Sequence, residues 1–151
     1  MPQILHDETG TSYLFMAAAA FIFDESGRIL LIKENYGRRR YGPPGGAIEA
    51  GESPQQAMIR EVMEETCLKV RVDRLIGIYY FYSESERSLA FAFHCEIEDG
   101  QPAVPPSGEI AEVGWFDPND LPAPLTNLAP HAIADAIRGE YGLVRDIRLA
   151  N

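Results

Sequence analysis

"GGAIEAGESPQQAMIREVMEETCL", residues 45–68, holds a helix, its start signal and a charge pattern that the helix should resist. Ser53 can cap, Pro54 suits the first helical position and Gln56 completes a capping box, so the stretch predicts a helix over Pro54–Thr66. Met58, Ile59, Val62 and Met63 supply an apolar stripe and leave the opposite face to charge. There Glu61 and Glu65 stand one turn apart with Glu64 between them, neighbouring Cβ atoms being about 5–6 Å apart. These acids repel one another. Glu64 and Glu65 also occupy the last turn, where unpaired carbonyls already make a helix end negative. Several local rules broken in one place point to a site.

A divalent cation resolves the conflict by turning repelling acids into ligands. Oxygen donors without histidine or cysteine select Mg²⁺, or Mn²⁺ in its place, over Zn²⁺. Arg60 can reach Glu64 or Glu52 and hold an acid in its ligating position. Gly45 and Gly46 let the backbone come close to the ion, so a carbonyl there is a further candidate ligand. The competing reading is a solvated acidic helix face with no ion.

The surrounding spacing decides between them. Gly46, Glu52 and the run Arg60-Glu61-Val62-Met63-Glu64-Glu65-Thr66-Cys67-Leu68 resemble the Nudix box, G-x5-E-x7-R-E-U-x-E-E-x-G-U, with U a bulky aliphatic residue. Only the final glycine fails to match. "GRILLIKE" is similar to the family's second strand, "PPGGAIEAGES" to the loop leading into the box, and "EVGWFDPNDLP" to a segment near its end. Most of residues 13–122 is thereby covered, with the box at 46–68. Cys67 replaces the box glycine, where a left-handed backbone is common and a Cβ costs about 1 kcal/mol. Tyr41 and Pro43 stand where the family often has tryptophan and leucine.

The resemblance implies an α/β fold, an α/β/α sandwich with a mixed β-sheet, in one domain over 1–151. It also implies a Mg²⁺-dependent hydrolase that cuts within the diphosphate of a nucleoside diphosphate linked to another group, such as ADP-ribose or a nucleotide sugar. Carried onto this chain, the metal ligands are Glu61 and Glu65, then Glu64, and a carbonyl of Gly45 or Gly46, with Glu52 and Arg60 ordering them. The general base falls among Glu112, Glu109 and Glu64, with Glu112 preferred. For the substrate, "YGRRRY" sets Arg38, Arg39 and Arg40 between Tyr36 and Tyr41, guanidinium groups for a phosphate and a ring for a base. Two rivals stand beside this reading: a MutT-like nucleoside triphosphate pyrophosphohydrolase that clears damaged nucleotides, and a nucleotide sensor without turnover.

Composition agrees with a small-molecule enzyme. The chain has 151 residues, 46% of them hydrophobic, enough for one core without staples, and its formal charge of -10 argues against gripping a nucleic acid polymer. The apolar run from Tyr13 to Phe23 is too short to span a bilayer and no lysine or arginine precedes it, so no membrane association and a cytoplasmic location are expected. Cys67 and Cys95 lack metal spacing and are expected to stay reduced.

Turn signals order the remainder. "DESG" between Tyr13–Phe23 and Arg28–Lys33 reads as a hairpin, and Val70–Phe81 with Leu89–Ile97 as another. Glu98–Gly108 is a loop, Val113–Phe116 a strand, Pro118–Leu121 a helical turn, and Pro130–Arg138 a short helix ending at Gly139. Phe81 is assigned to the core and His94 to a strand with a satisfied ring. The arm 1–12 could serve a homodimer.

Overall fold

The computed structural model describes residues 5–6 and 12–150. In chain order the elements are β1 (Leu5–His6), β2 (Ser12–Tyr13), β3 (Phe15–Phe21), β4 (Ile29–Glu34), β5 (Tyr41–Gly42), β6 (Gly45–Ala47), α1 (Pro54–Thr66), β7 (Lys69–Tyr82), β8 (Arg87–Asp99), β9 (Ile110–Phe116), α2 (Leu128–Ile137) and β10 (Leu143–Arg148). A mixed five-stranded sheet runs β10-β7-β8-β3-β6, an antiparallel three-stranded sheet runs β5-β4-β9, and β1 pairs with β2. Most of the arm at 1–12, with its suggested part in a dimer, lies outside the described residues. Among the described residues no helix is long and apolar enough to cross a membrane.

Strand alternation divides the core in two. Ala18, Ala20, Ile22, Leu30, Val70, Phe93 and Cys95 meet Met58 and Val62 of α1. Ala19, Phe21, Ile29, Leu31, Tyr79 and Phe81 face the other way and meet Ala129, Ala132 and Ile133 of α2. The helices therefore cover opposite sides of a mixed sheet, as a sandwich requires. Each large side chain fully buried there contributes about 1.5–3 kcal/mol. Phe81 is in the core, and His94 Nδ1 lies 3.1 Å from an Asp73 carboxylate oxygen.

The structure corrects two local expectations. The hairpin around "DESG" exists only at its turn, where Asp24 N–H donates to the Arg28 carbonyl and Phe23 bridges Ile29. Beyond it the strands part, because both edges of β3 are taken by β6 and β8 and both edges of β4 by β5 and β9. Pro118–Leu121 is not a helical turn: the Asp117 carboxylate accepts the Asn119 N–H and the Asp117 carbonyl the Asp120 N–H. Strand β10, which no sequence signal singled out, pairs parallel to β7. Its anchor is Asp135 of α2, 1% exposed, which accepts hydrogen bonds from Arg145, Arg138 and the Tyr79 hydroxyl, four of them at 2.7 Å.

Candidate active site

Helix α1 begins as its sequence dictates: Ser53 Oγ accepts the Gln56 N–H at 3.1 Å and Gln56 Oε1 accepts the Ser53 N–H at 2.9 Å. It ends on Cys67 in the left-handed region at φ 65°, so the cost of a Cβ at the box glycine is incurred here. Between these ends Arg60 gathers the acids. Its Nε and Nη2 donate to the two oxygens of Glu52 at 2.8 and 2.9 Å, and Nη1 donates to Glu61 at 2.9 Å and to Glu64 at 3.3 Å. Nη2 also reaches the Ala47 carbonyl at 3.2 Å, tying the loop before the helix to its charged face.

Strand β6 presses against that face. Gly45 N–H donates to Glu65 Oε1 at 2.7 Å. A Cβ on Gly46 would stand 2.6 Å from Glu61 Cδ, and one on Gly45 2.3 Å from the Ala18 carbonyl, so only glycine lets backbone and carboxylates meet here. Burial pushes the Glu65 carboxyl up to about 8; the Gly45 hydrogen bond opposes this, and the charges of Glu61, Glu109 and Glu64 add to it. Glu61 is raised too, by burial that outweighs its hydrogen bond from Arg60. Glu52 is held below the ordinary range, first by its hydrogen bonds from Arg60.

Glu61, Glu64 and Glu65 open onto a cavity of about 440 Å³ whose far wall is Pro105–Ser107 with Glu109 and Ile110. Asn35 holds that wall in place, its backbone N–H donating to the Glu109 carbonyl at 2.9 Å and its amide to the Gly108 carbonyl at 2.8 Å. Glu112 sits elsewhere: it faces Lys33 across the β4–β9 ladder and accepts the Tyr41 hydroxyl at 3.1 Å. Of the three candidate bases, Glu64 and Glu109 thus share the cavity of the helix acids and Glu112 stays on a strand.

A divalent ion suits this donor set. All candidate side-chain donors are oxygens, they flank a backbone without Cβ atoms, and a carboxyl raised to about 8 by burial, with its negative neighbours adding to the rise, is one that a cation would ionise. Among the described residues no three acids, histidines or cysteines already stand together as a ready-made cage. Arg60 and the Gly45 N–H occupy Glu61 and Glu65 instead, so an ion binding there would exchange one set of partners for another.

On the other side of Gly45 and Gly46 lies a slot of about 310 Å³ floored by Ala17 and Ala19 and walled by Phe81 and Leu128. It continues into a polar cavity of about 670 Å³ that Arg38, Ser83, Ser85 and Glu86 help to line. Glu34, Tyr36, Arg40 and Asn127 border both spaces. The arginine run divides its labour: Arg40 is paired with Glu34, Arg39 donates to Asn35 Oδ1 at 2.7 Å, and Arg38 faces the polar cavity. Tyr36 is 54% exposed, and partial burial followed by the Glu34 and Glu65 carboxylates pushes its phenol up to about 12. Tyr41 packs edge-on against Phe116 and lines neither space. Glu34 and Asn127 escaped sequence reasoning; the one signal for Glu34 was an acid at the end of an apolar strand.

Comparison with known proteins fits this geometry. Residues 14–136 match the profile of the NUDIX domain. A MutT-like protein of Streptomyces ambofaciens is 29% identical over 130 residues, 86% of this chain and 81% of that one. An ADP-ribose pyrophosphatase of Methanocaldococcus jannaschii is 32% identical over 115 residues, 73% of this chain and 67% of that one. Among solved structures, a MutT NUDIX hydrolase from Burkholderia pseudomallei is 28% identical and superposes with a TM-score of 0.75, covering 82% of this chain and 98% of that one.

Proposed function

The chain belongs to the Nudix hydrolase family and acts on pyrophosphate bonds of small nucleotide derivatives, and from that premise we propose a Mg²⁺-dependent enzyme for ADP-ribose or a nucleotide sugar. The observation that carries this reading is the junction of three helix acids with two glycines, opening on one side to Glu109 and on the other to a slot and a polar cavity. A substrate with a group on each side of its diphosphate suits such a two-sided site. Similarity to an ADP-ribose pyrophosphatase supports the same class.

Glu61, Glu65 and Glu64 would hold the ion with a carbonyl of Gly45 or Gly46, and Mn²⁺ could replace Mg²⁺. Nudix hydrolases generally use divalent metals; such an ion neutralises phosphate charge that grows in the transition state. Arg60, fixed by Glu52, keeps Glu61 and Glu64 turned toward the site. Glu109 is the better general base on geometry, because it shares the acids' cavity while Glu112 is engaged by Tyr41. Its carboxylate would take the proton of the water that attacks phosphorus, as the bond to the bridging oxygen breaks and two phosphate monoesters leave. Arg38 would hold a phosphate or sugar oxygen in the polar cavity, and Tyr36 would stack on a planar group.

The test is a panel of nucleotide sugars, ADP-ribose and nucleoside triphosphates incubated with Mg²⁺, with products identified. Two monophosphates from ADP-ribose support the proposal; pyrophosphate and a monophosphate from a triphosphate transfer it to the MutT-like alternative. Glu65→Gln should lose at least about two orders of magnitude in turnover while folded. Glu109→Gln should cost about a hundredfold and Glu112→Gln under about fivefold, and the reverse order would return the base to Glu112.

A further inference from the structure

Glu34 is an unusual wall for a substrate cleft. It is an acid, 8% exposed, at the end of an apolar strand, and it borders both the alanine-floored slot and the polar cavity beyond it. Its partner uses it unevenly. Oε1 accepts the Arg40 backbone N–H at 3.2 Å and Arg40 Nε at 3.0 Å, whereas Oε2 has a 3.5 Å contact from Nη2, and the Tyr36 phenol stands close enough for the carboxylate to raise it. Oε2 therefore keeps acceptor capacity, and the guanidinium beside it carries further N–H groups.

The flanking surfaces suit a flat ligand. Ala17 and Ala19, on the face of β3 turned toward α2, offer a floor without bulk and Phe81 an apolar wall, while the exposed ring of Tyr36 stands at the boundary of the two spaces. A nucleobase has two apolar faces and hydrogen-bonding edges around them, and such a slot would take the faces while one edge meets the wall of Glu34 and Arg40.

We infer that Glu34, oriented by Arg40, is a specificity-determining residue that reads the exocyclic amino group of the substrate's base and so favours adenine or cytosine nucleotides over their oxo counterparts. A carboxylate has no proton to give and can only accept, so an amino group satisfies Oε2 while an oxo group sets oxygen against anionic oxygen. Arg40 supplies the complementary donor for the ring nitrogen next to that amino group. Buried polar groups left unpaired by the wrong base are what make such discrimination steep.

This inference rests on the proposed hydrolysis of a nucleoside diphosphate derivative, and one pair of substrates separates the two. ADP-ribose and its hypoxanthine analogue differ along one edge of the base: the amino group becomes oxo and the adjoining ring nitrogen, an acceptor in adenine, becomes an N–H donor, so the partners offered to Glu34 and Arg40 are both exchanged. The wild-type protein should favour ADP-ribose in kcat/KM by about thirtyfold or more. In Glu34→Gln, whose amide can turn a donor to the oxo group, the preference should fall to within about threefold, with circular dichroism and Tm showing that the protein is folded. A wild-type ratio near one overturns the inference and leaves Glu34 and Arg40 merely closing the loop between β4 and β5. An undiminished ratio in the folded variant overturns it as well. Should neither compound nor any nucleotide sugar of the panel be hydrolysed, the functional proposal fails, and calorimetric binding of AMP against IMP then decides: tenfold tighter AMP sustains the role of Glu34, and equal binding ends it. If the variant does not fold, the wild-type ratio decides.

Discussion

Removing divalent metal should make this protein lose stability as pH rises, and Glu65 sets the size of the effect. Its carboxyl ionises near 8 in the fold against an ordinary value of 4.5, because it is buried among negative neighbours with one backbone donor. Between those pH values the folded state binds more protons than the unfolded one, so stability is greatest on the acid side and declines toward pH 8. At about 1.4 kcal/mol per pH unit, the most that this group could cost is about 5 kcal/mol. Glu61, raised as well, shares the titration, so a loss of about 2–3 kcal/mol is expected, or roughly 5–10 °C in Tm for a chain of this length. The assay is thermal unfolding in EDTA from pH 5 to 8, beside Glu65→Gln, which carries no such proton. Subtracting the variant removes acids shifted the other way, such as Glu52 and Asp135. With Mg²⁺ the difference should shrink or reverse, since the ion binds ionised ligands in the native state alone. Parallel curves for wild type and variant in EDTA would refute the reasoning, as would indifference of both to Mg²⁺ at pH 8.

Three further outcomes follow from the packing. Burial raises the Asp135 carboxyl, but hydrogen bonds from Arg145, Tyr79 and Arg138 outweigh it and hold it low; Asp135→Ala should cost about 3–5 kcal/mol in urea unfolding and Tyr79→Phe about 1–2 kcal/mol. Cys67→Gly should stabilise by about 1 kcal/mol, because φ at that position is 65°; an unchanged urea midpoint would contradict a strained cap. Gly45→Ala should cost more than about 3 kcal/mol, since its Cβ would strike the Ala18 carbonyl and Ala19 Cα at 2.3 and 2.6 Å, whereas Gly46→Ala meets the flexible end of Glu61 and should fold yet bind Mg²⁺ poorly by calorimetry.

The amino-acid sequence by itself determined helix α1, its capping box and the spacing that puts Glu61, Glu64 and Glu65 on one face. Those features depend on interactions within a turn or two of helix, so they are legible without knowing any partner. It also specified the long β7–β8 hairpin, whose strands are neighbours in the chain, and the mixed sheet between two helices. Tertiary structure alone decided that β3 and β4 part, because competition for strand edges is settled by segments far away in sequence. The same holds for β10, whose sequence Leu143–Arg148 opens on two apolar residues and so lacks a clean hydrophobic alternation, and which depends on Asp135 and β7. In the site, chain path rather than residue type brought Glu109 to the helix acids, engaged Glu112 with Tyr41, gave Arg40 to Glu34 and left Arg38 for the cleft. Loop acids and arginines look alike in a sequence; only the distances that the fold imposes on their charges tell them apart.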